Sequence, residues 1–252
     1  MASRLLGVAR ETVLASLFGA SKDPSMDAFN VAFRVPNLVR DLFAEGAMTA
    51  AFVPTFTRTL NGQGREAAWR LGNLVINALL VVTALLVVLG IIFARPITTA
   101  IASGGIVDFF LHALGFGGAP TAGRGFLEVQ GKLELTTQLT QIMMPFLMTI
   151  AVAVAMMGML NSLHRFFIPA ISPAMFNVAT ILCAFVLVPY MPAVGLPPIA
   201  GIAIATVLGG IGQIAVQWPS LRREGFRYRP VLDFRDPGVR EILRLMGPGT
   251  LG

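Results

Sequence analysis

From residue 71 to residue 94 the chain runs through leucine, valine, isoleucine and alanine without one charged side chain. At 1.5 Å rise per residue, a helix of that length crosses the roughly 30 Å hydrocarbon core of a bilayer with some tilt. Lipid offers the backbone no hydrogen-bonding partner, so a lipid-embedded run must close its own bonds, and one without period-two alternation does so as a helix. Residues 135–163, 166–188 and 199–220 are similar uncharged runs, the last two separated by the helix-breaking PYMPAVGLPP. With residues 2–19 and a helix from Asp27 to about Leu60, these make six complete spans, and a seventh helix opens at Glu241. The expected fold is an all-α, polytopic membrane helix bundle. Its divisions are a six-helix lobe over 1–220, a basic connecting loop over 221–240, and the start of further structure over 241–252.

Composition narrows the function classes. The chain is 55% hydrophobic and 13% charged, against about 25% charged residues in soluble domains. A net charge of +6 does not point to nucleic acid in so apolar a chain, and topology accounts for it. The flanks of even-numbered spans carry Arg58, Arg65, Arg70, Arg165, Arg222, Arg223, Arg227, Arg229, Arg235, Arg240 and Arg244. The opposite side carries Lys22, Arg95, Arg124 and Lys132. By the positive-inside rule the first side, with the N-terminus, is cytoplasmic. The lone Cys183 permits no intrachain disulfide, and His112 and His164 stand too far apart in sequence to suggest a metal site. Residues 1–19 lack a cleavage site after a plain apolar core and read as a retained helix. No HExxH, phosphate loop or spaced nucleophile and base appears. The chain is therefore expected to be no enzyme and to need no cofactor, leaving the membrane potential or a monovalent cation gradient as candidates for coupling.

Some features have structural readings. The methionines at 143, 144, 148, 156, 157 and 159 suit adaptable packing, Pro145 predicts a kink, and Gly201, Gly209, Gly210 and Gly212 permit close helix contact. Residues 161–170 make a short turn, 95–132 an extramembrane connection, and 106–114 within it an interfacial helix.

Topology leaves Arg4, Arg10, Arg34 and Arg40 unexplained, since they lie within the first two helices. Ionisable groups at membrane depth cost several kcal/mol unless they face a bundle interior or a water-filled cavity. In the helix from Asp27, the residues Asp27, Arg34, Asp41 and Glu45 fall within about 20° of one stripe at 100° per residue, with Arg40 roughly 120° away. Pro36 lacks the donor that would reach Ala32 and is expected to kink this helix, turning Arg40 toward the same space. Two readings stand. The arginines lock helices together by pairing with Glu11, Asp27, Asp41 and Glu45, or their guanidinium forks bind phosphate oxygens. A mixture gives Arg10 and Arg40 the ligand contact and lets the acidic residues set the local field. Gly7, Gly19, Pro36 and Gly46 are candidate flex points.

The segments SRLLGVARE at 3–11, MDAFNVAFRVPNLVRDLFAEGAMTAAFVP at 26–54, LNSLHRFFIPAISPAMFN at 160–177 and MGP at 246–248 resemble the MurJ/MviN family of lipid II flippases. That family lies within the multidrug/oligosaccharidyl-lipid/polysaccharide exporter superfamily. The resemblance implies the first of two helical lobes around a cationic cavity, in the bacterial inner membrane. Its implied substrate is the undecaprenyl-pyrophosphate-linked peptidoglycan precursor, lipid II, moved from the inner to the outer leaflet. Membrane lipids and wall-synthesis proteins are further candidate partners. Functional arginines of the family fall on Arg4, Arg10 and Arg40, and its aspartate on Asp27; Arg34 matches a basic position. Glu11 replaces a common aspartate, and Asp41 stands where arginine is frequent, lowering the cavity's positive charge. The alternatives are a cation-coupled exporter of drugs or another lipid-linked oligosaccharide, and a non-transporting membrane scaffold for wall synthesis.

Overall fold

A computed structural model of the chain describes residues 2–19, 24–41, 48–102, 131–233 and 235–249, and every regular element among them is helical. Helix α1 covers Ala2–Phe18 and α2 covers Pro24–Asp41, continuing through Pro36 without a break in its helical assignment. Of the helix expected to run on to about Leu60, the structure describes α2 as far as Asp41 and then α3, Met48–Gln63; residues 42–47 between them lie outside the described residues. Helix α4 is Arg65–Ile92. The loop expected around Arg58, Arg65 and Arg70 therefore contracts to Gly64, whose φ of 87° turns the chain where other residues would be strained. Arg65 and Arg70 sit on the exposed first turns of α4, where helix can continue beyond the apolar stretch at no solvation cost.

Helix α5, Ala94–Ala102, takes in Arg95, so the expected connection begins later than its sequence suggests. The interfacial helix expected at 106–114 lies outside the described residues. Pro145 interrupts the next span as expected, dividing it into α6, Lys132–Met143, and α7, Phe146–Ser162. His164, at φ 58°, lies in the following turn. Then come α8, Phe167–Ile171, and α9, Ala174–Val186, followed by two short 3-10 turns in the proline-rich stretch. Helix α10 is Ala200–Arg223. Helix α11, Pro237–Gly249, begins four residues before Glu241. Its cap is a local sequence signal: Asp236 Oδ1 accepts the Gly238 N–H at 2.9 Å, and Pro237 fills the first helical position, where no donor is needed.

Four segments among the described residues are long and apolar enough to cross a membrane: Arg65–Ile92, Lys132–Ser162, Phe167–Val186 and Ala200–Arg223. At their centre lies α7, which packs on α3, α4, α10 and, more lightly, α2. Its methionines are packing elements: Met156 and Met159 are fully buried, and a Cβ at Gly72 of α4 would fall 2.6 Å from Met159 Sδ. Outward faces carry Val81, Leu85, Val88 and Ile92 of α4, and Leu182 and Phe185 of α9. This is the exposure a lipid-facing surface tolerates.

Residues 71–77 of α4 are all buried, yet they include Asn73 and Asn77. Both clamp a non-helical strap over residues 226–231. Asn73 donates to Arg227 O at 3.0 Å and accepts from Arg229 N at 2.9 Å. Asn77 donates to Arg229 O and Val231 O, both at 2.9 Å, and accepts the Tyr228 hydroxyl at 2.6 Å. The strap's polar backbone is thereby satisfied against an apolar bundle. Nearby, Arg165 pairs with Glu224 at 2.8 Å, Arg65 with Glu224 at 3.7 Å, and Arg58 with Glu241 at 2.6 Å. Lys132 lies at the far end of the 31-residue Lys132–Ser162 segment. Among the described residues, Arg95 and Lys132 thus lie at the opposite end of the bundle from Arg58, Arg65 and Arg165.

Helices α9 and α10 make the most extensive contact in the fold. A Cβ at Gly209 would fall 2.9 Å from the Phe176 backbone Cα, whereas one at Gly212 would reach Met175 Cβ at 3.4 Å. Gly209→Ala is expected to cost about 1–3 kcal/mol by forcing the helices apart, while Gly212→Ala should be nearly neutral. Thermal unfolding of the two detergent-solubilised variants measures the contrast.

A candidate anion-binding site on the first two helices

Helix α1 is positioned by Leu14 and Phe18, which are buried in one apolar cluster with Ala28, Phe29 and Ala32 of α2 and Ala184 of α9. Arg10 lies one turn before Leu14, on the same face of α1. Its side chain is only 25% exposed, and its guanidinium carbon stands 5.6 Å from the centroid of the Phe176 ring. That separation lies within cation–π range. Phe176 continues a wall of rings: Phe33 is 6.0 Å away, Phe146 5.9 Å, and Phe29 stacks on Phe33 at 5.9 Å. Arg10 pairs with its neighbour Glu11, but its buried Nε has no hydrogen-bond partner among the described residues. Arg10, Asn30, Phe33, Phe176, Thr180 and Thr206 border a cavity of about 80 Å³. A guanidinium held on an aromatic face with an unused donor is chemically suited to an anionic oxygen.

The other candidates lie in different settings. Asp27, in the first turn of α2, is 67% exposed and accepts Lys132 Nζ at 3.0 Å, while the Lys132 side chain is only 9% exposed. Its charged partner among the described residues is thus a lysine from α6 rather than Arg10 or Arg34. Arg34 is exposed on α2 and forms no ion pair with another described side chain. Arg4 lies in α1, and Arg40 and Asp41 end α2, but their side chains are outside the described residues, as are Glu45 and Gly46 altogether. Gly7 faces Asn177 of α9, whose Nδ2 would stand 4.0 Å from a Cβ there. Pro36 is buried within α2. Sequence reasoning missed Phe176, Asn30, Thr180 and Thr206 as neighbours of Arg10, although Phe176 lies inside one of the quoted motifs.

A family profile described as Lipid II flippase MurJ matches residues 14–252. The chain belongs to the MurJ family. A relative from Burkholderia cenocepacia, named Lipid II flippase MurJ, is 36% identical over 98% of this chain and 44% of its own length. One from Vibrio cholerae, named Probable lipid II flippase MurJ, is 34% identical over 99% and 44%. A solved structure titled Lipid II flippase MurJ, inward closed conformation, superposes with a TM-score of 0.68 at 24% identity, covering 99% of this chain and 45% of that one. At that identity the match speaks for the fold alone. The chain spans less than half the length of these MurJ relatives. Family and membrane-capable helices together make it a multi-pass membrane protein.

The pairing of Asp27 with Lys132 generates a test of its role. Asp27→Lys should lower the thermal midpoint of the protein, and Lys132→Asp on the same chain should restore it by re-forming the pair with reversed charges. Arg34→Asp should not. Fluorescence-detected thermal melts of the three variants check this.

Proposed function

We propose that this chain forms the N-terminal lobe of a transporter that flips lipid II from the inner to the outer leaflet of the bacterial cytoplasmic membrane by alternating access. What carries the reading is Arg10: a membrane-embedded guanidinium, mostly buried, with its Nε unpartnered beside a cavity. Support comes from the names of the MurJ relatives and from the cationic character of α1 and α2. In this reading α1 and α2 are the first two of six spans, shorter and more polar than the other four because they line a chamber rather than lipid. The N-terminus lies with the Arg58, Arg65 and Arg165 end in the cytoplasm.

The physical task is to replace water around an anion that has no route of its own across roughly 30 Å of hydrocarbon. The pyrophosphate docks on Arg10 and Arg40, Arg4 and Arg34 draw it inward, and the polyprenyl tail remains in lipid. Asp27, Asp41, Glu11 and Glu45 hold the net charge low enough for release. Gly7, Pro36 and Gly46 take up the bending as the two lobes rock. An inside-negative potential favours outward movement by about 2.3 kcal/mol per negative charge per 100 mV. No cofactor and no bond-breaking step are needed, and a monovalent cation gradient is a second candidate drive.

In the protein expressed from its complete reading frame, Arg10→Ala should abolish lipid II flipping while membrane levels stay normal. A lipid II accessibility assay in spheroplasts, with quantitative immunoblotting, reads both. Retained flipping by a normally abundant variant overturns the proposal and leaves a scaffold role.

A further inference from the structure

Phe176 also borders a cavity of about 300 Å³ between α7, α9 and α10. Most of its wall is apolar, including Phe146, Val154 and Phe176, and into that wall are set three carboxamides, Asn177, Gln213 and Gln217. Gln217 is 1% exposed. Its Nε2 donates to Ser172 Oγ at 2.9 Å and Gln213 O at 3.3 Å, while its buried Oε1 has no partner among the described residues. Reversing the amide does not relieve this, because it would set Oε1 against the Gln213 carbonyl, an acceptor facing an acceptor. A buried acceptor left unmade costs about 1–3 kcal/mol, so this wall is complementary to something that brings a donor.

The lining also defines what that something is. Among the described residues no carboxylate borders the cavity, so a cation would find there none of the charged oxygens that normally hold it. An anion would meet Oε1 with like polarity. Two phenyl rings and a carbonyl acceptor suit a neutral ring with apolar C–H faces and hydroxyl or amide N–H edges. A volume of about 300 Å³ is at the small end of ligand pockets, roughly 300–1,000 Å³, and accommodates one such ring. Phe176 is a shared wall, bordering both this cavity and the one at Arg10.

We infer that the cavity bordered by Gln217, Gln213 and Asn177 is a subsite for a neutral, donor-bearing sugar ring of the substrate, next to the anion position at Arg10. The inference rests on the proposed function, and it adds a headgroup-reading element to a lobe otherwise described by charge. Gln217 Oε1 accepts a hydroxyl or amide N–H, the Phe146 and Phe176 rings cover the sugar's C–H face, and Ser172 holds the Gln217 amide in place.

Purified full-length protein is titrated with two probes, lipid II and undecaprenyl pyrophosphate, the second retaining the anion and tail but lacking sugar. Gln217→Leu should weaken lipid II binding about tenfold, the cost of one unmade buried hydrogen bond, and leave undecaprenyl pyrophosphate unchanged. Ala153→Leu fills the same cavity from α7 without touching the Gln217 bonds, and should reproduce that selective loss. Arg10→Ala should weaken both probes. If Gln217→Leu and Ala153→Leu affect neither probe, or both equally, the cavity holds only water or packing space and the inference is overturned while the transport reading stands. If the wild-type protein binds neither probe, the transport reading itself fails and the subsite with it.

Discussion

The arrangement depends on the cost of placing a guanidinium where water is scarce. An arginine at membrane depth must find a carboxylate, an aromatic face, a backbone acceptor or a wet cavity. Arg10 combines three of these: Glu11 takes part of its charge, the Phe176 ring covers its flat face, and the residue lines a cavity. Because Phe176 belongs to α9, that contact adds to the apolar packing of Leu14 and Phe18 that holds α1 in place. It also places the charge beside the Phe29, Phe33 and Phe146 rings, where low polarity strengthens any interaction with an anion.

The rest of the bundle holds this site by close packing. Helix α7 buries Met159 against Gly72 of α4, and α9 and α10 meet closely where Gly209 admits the Phe176 backbone. Phe176 thus meets α10 at Gly209 and Arg10 over its ring, which links the α9–α10 contact to the site. At the basic end, Asn73 and Asn77 tie the strap over residues 226–231 to α4, and the Arg58–Glu241 pair joins α11 to α3. The chain beyond the strap is therefore anchored to the lobe before it leaves.

Much of this was legible from residue order. Uncharged runs gave the long helices, Pro145 the break between α6 and α7, and the glycines of α10 the close contact with α9. Arg10 stood out because topology had no use for it. What escaped were long-range partnerships. Asn73 and Asn77 sit in a stretch that reads as plain apolar helix, and their role emerges only when residues about 150 positions later return to meet them. Lys132 as the partner of Asp27 was hidden for the same reason. Nor does the pattern between Asp27 and Leu60 mark where packing partners change: α2 lies on α6, and α3 on α7 and α11.

The central claim is that α1 and α2 line an aqueous, positively charged chamber rather than facing lipid. Asn30 on α2 is exposed and borders the Arg10 cavity, so a cysteine there reports both properties. In the complete protein stripped of native cysteines, Asn30→Cys should react with water-soluble methanethiosulfonates, and the anionic sulfonatoethyl reagent should react faster than the cationic trimethylammonium one. Arg10→Ala should erase that preference. A thiol at position 30 that resists both reagents, or prefers the cation, contradicts the account.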